Sequence, residues 1–146
     1  MRFGIQSILA AAVVVGSASG ALAQQKPEDT LKMRQGLFQA VKVQAGPVLG
    51  FAQGKNDMPA DAAARGANVA ALAKILPAAY GKGSENLPNS ATKPEAFTSP
   101  DFAKGLDAMG AAAAKLAAAQ DADAVKAAAG ELGKTCKGCH DNFKKD

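Results

Sequence analysis

Helical periodicity is the feature that most restricts the fold of this chain. Apolar residues recur every three or four positions in four stretches, and no stretch alternates apolar and polar residues as a half-buried strand does. Alanine, the strongest helix former, is abundant, and tryptophan is absent. The sequence therefore predicts an all-α fold, with helices over about 27–51, 61–80, 99–119 and 121–145.

Prolines and glycines predict where these helices are interrupted. Gly46 and Pro47 lie inside the first helical stretch and predict a kink or an end there, because proline lacks the N–H that a helix interior needs. Pro77 predicts a disturbed last turn in the second stretch. Residues 81–100 carry three prolines and two glycines and are expected to form a long loop, which in a compact domain is often functional.

The number and length of the amphipathic stretches predict an antiparallel four-helix bundle. The apolar stripes of these helices are rich in alanine, which has a small side chain. Such a bundle has either closely packed helices or space inside it. A large apolar prosthetic group would fill that space.

The N-terminal residues resemble an export signal more than part of the bundle. Arg2 precedes an apolar stretch, and Ala21-Leu22-Ala23 has the pattern of a cleavage site. We predict a cleaved signal peptide over 1–23, a mature domain over 24–146 and a periplasmic location. A membrane anchor is the alternative, but the apolar run is shorter than the roughly 20 residues that span a bilayer.

Charge gives little indication of a macromolecular partner. Cleavage of the predicted signal peptide would remove Arg2 and leave 16 basic and 13 acidic side chains, a net charge of +3. The basic residues are spread along the sequence and do not alternate with aromatic residues. Nucleic-acid binding is therefore not indicated, and we expect no membrane association after cleavage.

The pentapeptide CKGCH contains both cysteines and the only histidine of the chain. On a helix, Cys136, Cys139 and His140 share one face because they are three and four residues apart. Zinc would need a fourth ligand, usually a further cysteine or histidine, and the chain has no other of either; a redox dithiol normally follows a strand. The complete C-x-x-C-H pattern is that of haem c attachment, in which two thiols bind the vinyl groups and histidine ligates iron.

The position of this motif near the C-terminus points to one group of haem proteins. The stretch LGKTCKGCHDNFKKD, together with KPEDTLKMRQGLF near the predicted mature start, resembles the cytochrome c′ family of class II c-type cytochromes. The resemblance covers essentially the whole mature chain. It implies an antiparallel four-helix bundle with covalently bound haem c, which in this family commonly forms a homodimer through its first two helices.

The resemblance also implies roles for individual residues. Cys136 and Cys139 would hold the haem, and His140 would be the proximal iron ligand. Arg34 and Gln35 match an R-Q pair near the haem propionates, although an ordinary surface charge is the alternative for Arg34.

Two further segments match the family near the haem. Lys144 matches a basic residue on the proximal side. The segment 93–95, Lys-Pro-Glu, resembles a loop at the haem edge, with Thr92 beside it as a propionate contact.

The residue over the sixth coordination position would decide the function. The resemblance places Phe38 there, where a phenyl ring can crowd the iron but cannot ligate it. Low-spin relatives carry a methionine instead. Met33 lies five residues before Phe38 and therefore on another face of the helix, and Met58 and Met109 are not placed at the iron by the resemblance.

These features predict a non-enzymatic protein with pentacoordinate, high-spin iron that binds nitric oxide and carbon monoxide. A nitric oxide carrier or scavenger is the expected role. The alternative is a low-spin electron-transfer cytochrome with a methionine ligand and redox partner proteins. A haem-free helical module, in which CKGCH is a redox or metal site, is the third interpretation.

Overall fold

A computed structural model describes residues 26–145 of the chain. In that part of the chain there are four helices: α1 (Pro27–Ala52), α2 (Ala62–Ile75), α3 (Pro100–Ala118) and α4 (Ala122–Phe143). Short 3₁₀ turns at Leu76–Ala79 and Pro94–Phe97 are the only regular structure between α2 and α3. The all-α prediction is confirmed, whereas the predicted signal peptide lies outside the described residues.

The helices form a bundle in which each packs on the next and α4 closes against α1. The helices α1 and α3 therefore lie on a diagonal and scarcely touch. The fully buried side chains between the helices form a central layer that includes Val48, Val69, Leu116 and Leu132.

Of the two outcomes predicted at Gly46 and Pro47, a kink or an end, the structure excludes the end, because α1 continues to Ala52. Pro47 has no N–H to donate to the carbonyl oxygen of Val43, four residues earlier. Arg65 of α2 provides a donor instead, with its Nη1 3.1 Å from that oxygen. The unpaired carbonyl is thereby satisfied, and the same contact joins α1 to α2.

The second helix is shorter than predicted. It ends at Ile75, and the chain continues as a 3₁₀ turn that contains Pro77. Pro77 was predicted to disturb the last turn of this helix, and that turn is a 3₁₀ turn in the structure. The long loop begins after it, at Tyr80.

The sequence left open whether the alanine-rich helices pack closely or leave space inside the bundle, and the structure shows both. At the contact of α2 with α3, the backbones are so close that a Cβ on Gly66 would lie 2.5 Å from the nitrogen of Ala117 and 2.9 Å from the oxygen of Ala113. Elsewhere, between α1, α3 and α4, the bundle leaves a large cavity.

Replacing Gly66 by alanine is expected to destabilise the protein by about 1–3 kcal/mol, the usual cost of overpacking. This cost outweighs the gain of up to about 1 kcal/mol from better helix propensity. Urea unfolding measures the change in free energy. Gly130→Ala is the matched control, because nothing lies within 4 Å of the added Cβ, and it is expected to stabilise. Equal effects of the two substitutions would contradict the close contact.

Candidate haem site

The cavity has a volume of about 990 Å³, near the upper end of ordinary ligand pockets. Its apolar wall comes from two diagonal helices that do not fill the space between them. From α1 these residues are Leu31, Phe38, Val41, Ala45 and Leu49, and from α3 they are Phe102, Leu106 and Met109. A large, flat, apolar group would fit such a space.

The motif of α4 forms another wall of this cavity. Cys136, Cys139 and His140 all line it, and the two cysteines are half-buried free thiols. Burial raises the pKa of both thiols, and the neighbouring Cys136 raises that of Cys139 further. The thiols are therefore protonated near neutral pH and are side by side with the imidazole.

Most of the residues that the sequence singled out are brought to this one cavity, whereas residues 93–95 do not line it. Those that do are Arg34, Gln35, Phe38, Thr92, Cys136, Cys139, His140 and Lys144. The role of each toward a haem stays a prediction. Their convergence from α1, the long loop and α4 is nevertheless a property of the fold.

Arg34 is not the surface charge that the alternative interpretation assumed. Its side chain is only 2% exposed. Its guanidinium lies 5.1 Å from the ring centre of Tyr80 and 5.0 Å from that of Phe97, which favours the cation through the ring faces. Burial lowers its pKa, but an arginine remains charged at any physiological pH.

The buried charge of Arg34 has neutral hydrogen-bond partners. None of the ion pairs among residues 26–145 includes it. The neighbouring Gln35 is exposed and donates from Nε2 to the carbonyl of Asn89, 3.2 Å away. The carboxylate of Glu85 acts to raise the pKa of Arg34 but forms no ion pair with it, so this buried cation at the wall of the cavity is suited to an anionic group inside that cavity.

The long loop meets the end of α4 beside the motif. Thr92 and Lys144 form an isolated antiparallel bridge. The N–H of Lys93 donates to the carbonyl of Phe143 over 2.8 Å, and that of Lys145 donates to Ala91 over 2.9 Å. Thr92 and Lys144 therefore lie at the same edge of the cavity.

The methionines differ in their relation to the cavity. Met33 and Met58 do not line it, which agrees with the sequence-based argument against Met33. Met109 does line it and is 6% exposed. α3 therefore brings the side chain of Met109 to the cavity wall, although the family resemblance does not place this residue at the iron.

The sequence analysis missed Tyr80, the only tyrosine of the chain. It lines the cavity at the end of the 3₁₀ turn, and its ring packs against Phe97 and Phe102 with centroids 5.1 and 4.6 Å away. Burial raises its pKa to about 12. No periodic pattern marked it, and its uniqueness was the only available indication.

Within residues 26–145, no group of three or more His, Cys, Asp or Glu side chains is arranged to hold a bare metal ion. None of the helices in that range is long and apolar enough to cross a membrane. The zinc alternative therefore has no support in the described structure.

A four-helix bundle with C-x-x-C-H at the wall of a large apolar cavity defines a class, the helical-bundle c-type cytochromes. A family model described as cytochrome c′ matches residues 29–144. The chain belongs to the cytochrome c′ family, and membership implies covalently bound haem c.

Individual relatives agree with this assignment. The cytochrome c′ of Rubrivivax gelatinosus is 38% identical over 125 residues, which are 82% of this chain and 97% of that protein. Its crystal structure has a TM-score of 0.73 and covers 83% of this chain and 98% of its own. A ferrous variant of cytochrome c prime from Alcaligenes xylosoxidans with bound NO is 34% identical, with a TM-score of 0.68 and coverage of 83% and 97%.

Proposed function

We propose that this protein is a periplasmic haem c protein that binds small gases and serves as a nitric oxide carrier or scavenger. The observation that carries the proposal is the single cavity with Cys136, Cys139 and His140 on one wall and Phe38 on another. When bound there, haem supplies an iron atom that can take a diatomic ligand at an open coordination position.

In this proposal the residues of α4 hold the cofactor. The sulfurs of Cys136 and Cys139 would form thioether bonds to the haem, and His140 would provide a nitrogen ligand to its iron. The buried cation of Arg34 and the amide of Gln35 stand near the carboxylates, with Thr92 at the same edge. Arg34 fits this assignment because its charge has no carboxylate partner among residues 26–145.

The wall formed by α1 is suited to selection of ligands by size and polarity. Phe38 presents a ring that cannot bind iron, and Leu31, Val41 and other apolar residues line the cavity with it. The cavity wall contains no aspartate, no glutamate and no histidine other than His140. Carboxylates that would help to cleave an O–O bond are therefore lacking from the described wall, and the guanidinium of Arg34 is bonded to Ala79, Ser84 and Ser90, which supports ligand binding rather than catalysis. The relative with bound NO supports the same ligand class.

Met109 favours a second candidate, the low-spin electron carrier. Its thioether lines the cavity, so a sixth protein ligand from α3 is the specific alternative to an open site. The two functions share the fold and the haem. They differ in the spin state of the iron and in whether carbon monoxide or nitric oxide can bind.

Replacing Met109 by leucine is expected to leave the optical and electron paramagnetic resonance spectra of the holoprotein unchanged. Both proteins are expected to be high-spin when ferric, and their ferrous forms are expected to shift on addition of nitric oxide or carbon monoxide. The reason is that the proposed function leaves the sixth position open, so the sulfur of Met109 is not a ligand, and leucine conserves the volume of the side chain. A low-spin wild type that becomes high-spin in Met109→Leu would refute gas binding and establish electron transfer.

The remaining assignments follow from the family resemblance. We propose export to the periplasm, a homodimer through α1 and α2, and no enzymatic activity; redox partner proteins belong with the electron-transfer alternative. The surface of α1 and α2 is compatible with association, because Val43 is 63% and Ile75 50% exposed there.

A further inference from the structure

We propose that Arg34 is a positioning residue for His140 and acts on it through the loop 81–93, which we call the strap. The inference rests on the proposed ligation of iron by His140. It assigns to Arg34 a mechanical role that a contact with haem propionates does not require.

Arg34 donates hydrogen bonds to Ser84 and Ser90 of the strap and to Ala79 just before it. The Nη1 atom donates to the carbonyl of Ala79 over 2.9 Å and to Oγ of Ser84 over 3.1 Å. The Nη2 atom donates to the carbonyl of Ser84 over 3.1 Å and to Oγ of Ser90 over 3.4 Å. Both serines are buried, with exposures of 0% and 6%. A charged donor makes such bonds stronger than neutral ones.

The C-terminal end of the strap is hydrogen-bonded to the C-terminal end of α4. The Lys93 N–H and the Ala91 carbonyl bond to Phe143 and Lys145 over 2.8 and 2.9 Å. The ammonium of Lys93 also donates to the carbonyl of Asn142 over 3.1 Å. The strap thus connects α1 to the final turn of α4 at two separate points.

That final turn includes His140. The carbonyl of His140 accepts from the N–H of Lys144 over 3.1 Å, so the residue held by the strap is bonded to the proposed ligand. His140 is exposed with respect to the protein atoms of residues 26–145, so neighbouring side chains restrain it little. Orientation of a ligating histidine depends on such outer contacts, and here the backbone of its helix end provides them.

The hydrogen bonds of Arg34 limit what else it can do. A guanidinium has five N–H donors, and the strap and Ala79 use four of them. Only the Nε–H is left for an anion. A fork-like bond to a carboxylate would require the strap to detach, whereas the positive charge itself acts at a distance in either case.

The experiment compares three variants of the holoprotein. Arg34→Lys keeps the charge but cannot make the fork of bonds. Ser84→Ala/Ser90→Ala keeps Arg34 and removes two of its acceptors. Ser99→Ala is the matched control, because it removes the N-cap bond to Asp101 in α3, outside the strap. Circular dichroism and thermal unfolding establish that each variant is folded, and the single serine variants replace the double one if it is not.

Two measurements are made on each variant. Amide hydrogen exchange at Lys93 and Lys145 reports attachment of the strap. The iron–histidine stretching band of the ferrous form, seen by resonance Raman spectroscopy, reports the bond of His140. We expect Arg34→Lys and the serine variant to exchange at least tenfold faster at both amides and to shift or broaden the band, and Ser99→Ala to do neither.

Three results would overturn the proposal. The first is unchanged exchange in both strap variants, and the second is faster exchange with an unchanged band. The third is an altered band in Arg34→Lys but not in the serine variant, which would indicate direct contact with the haem. A wild-type protein without an iron–histidine band would instead refute the five-coordinate ferrous iron of the proposed function, because a six-coordinate low-spin iron does not show the band, and the exchange data would still report on the strap.

Discussion

Replacing both Cys136 and Cys139 by serine is expected to give a protein that contains no covalently bound haem. A hydroxyl group does not replace the thiols that form the two thioether bonds. The measurement is haem staining after denaturing electrophoresis, combined with the pyridine haemochrome spectrum, and we expect less than about a tenth of the wild-type signal. The effect is large because both cysteines of the chain are removed together.

Lys137→Ala is the matched control for this variant. Lys137 lies between the two cysteines in the motif, and its ion pair with Asp141 is exposed. Such a pair contributes little to stability, so normal haem content is expected. Haem retained by the double serine variant would refute covalent attachment.

The stability of the double variant tests the haem-free interpretation. A ligand that binds only the folded state stabilises it, and without one the bundle must keep a cavity of about 990 Å³. We therefore expect a lower midpoint of thermal unfolding and less helix by circular dichroism. A variant as stable as the wild type would favour a helical module that needs no haem.

The sequence predicted those features that depend on local spacing. The four helices follow from apolar periodicity, and the convergence of Cys136, Cys139 and His140 follows from their spacing on one helix. The resemblance added Arg34 and Phe38, both of which line the cavity. Helix periodicity and motif spacing can be predicted from a few neighbouring residues, and the positions of Arg34 and Phe38 from the family resemblance.

The features that the sequence did not predict depend on contacts between distant residues. Pro47 does not end α1, because Arg65 supplies a donor from another helix. Arg34 is buried because the loop wraps around it, with Ser84 fifty positions away. The position of Met109 at the cavity depends on how α3 is turned against its neighbours. None of these contacts or orientations can be predicted from the periodicity of the sequence.

Replacing Phe38 by alanine is expected to increase the rate at which carbon monoxide binds to the ferrous protein by about tenfold or more. The phenyl ring of Phe38 lines the cavity on the wall of α1, and its removal takes away the group proposed to crowd the open position. A tenfold change corresponds to roughly 1.4 kcal/mol of the barrier. Laser flash photolysis or stopped-flow mixing measures the rate, and Phe38→Leu is expected to lie between alanine and the wild type.

Phe51→Ala provides the matched control for this prediction. Phe51 is a partly buried residue of the same helix that packs against the core but does not line the cavity. Its substitution is expected to lower stability without changing the rate of carbon monoxide binding, so that loosening of the bundle is separated from relief of crowding. If a methionine occupied the sixth position, its dissociation would limit the rate, and Phe38→Ala would leave that rate unchanged. An unchanged rate in Phe38→Ala therefore contradicts the assignment of Phe38 to the open position, whereas an increase confined to Phe38 supports it.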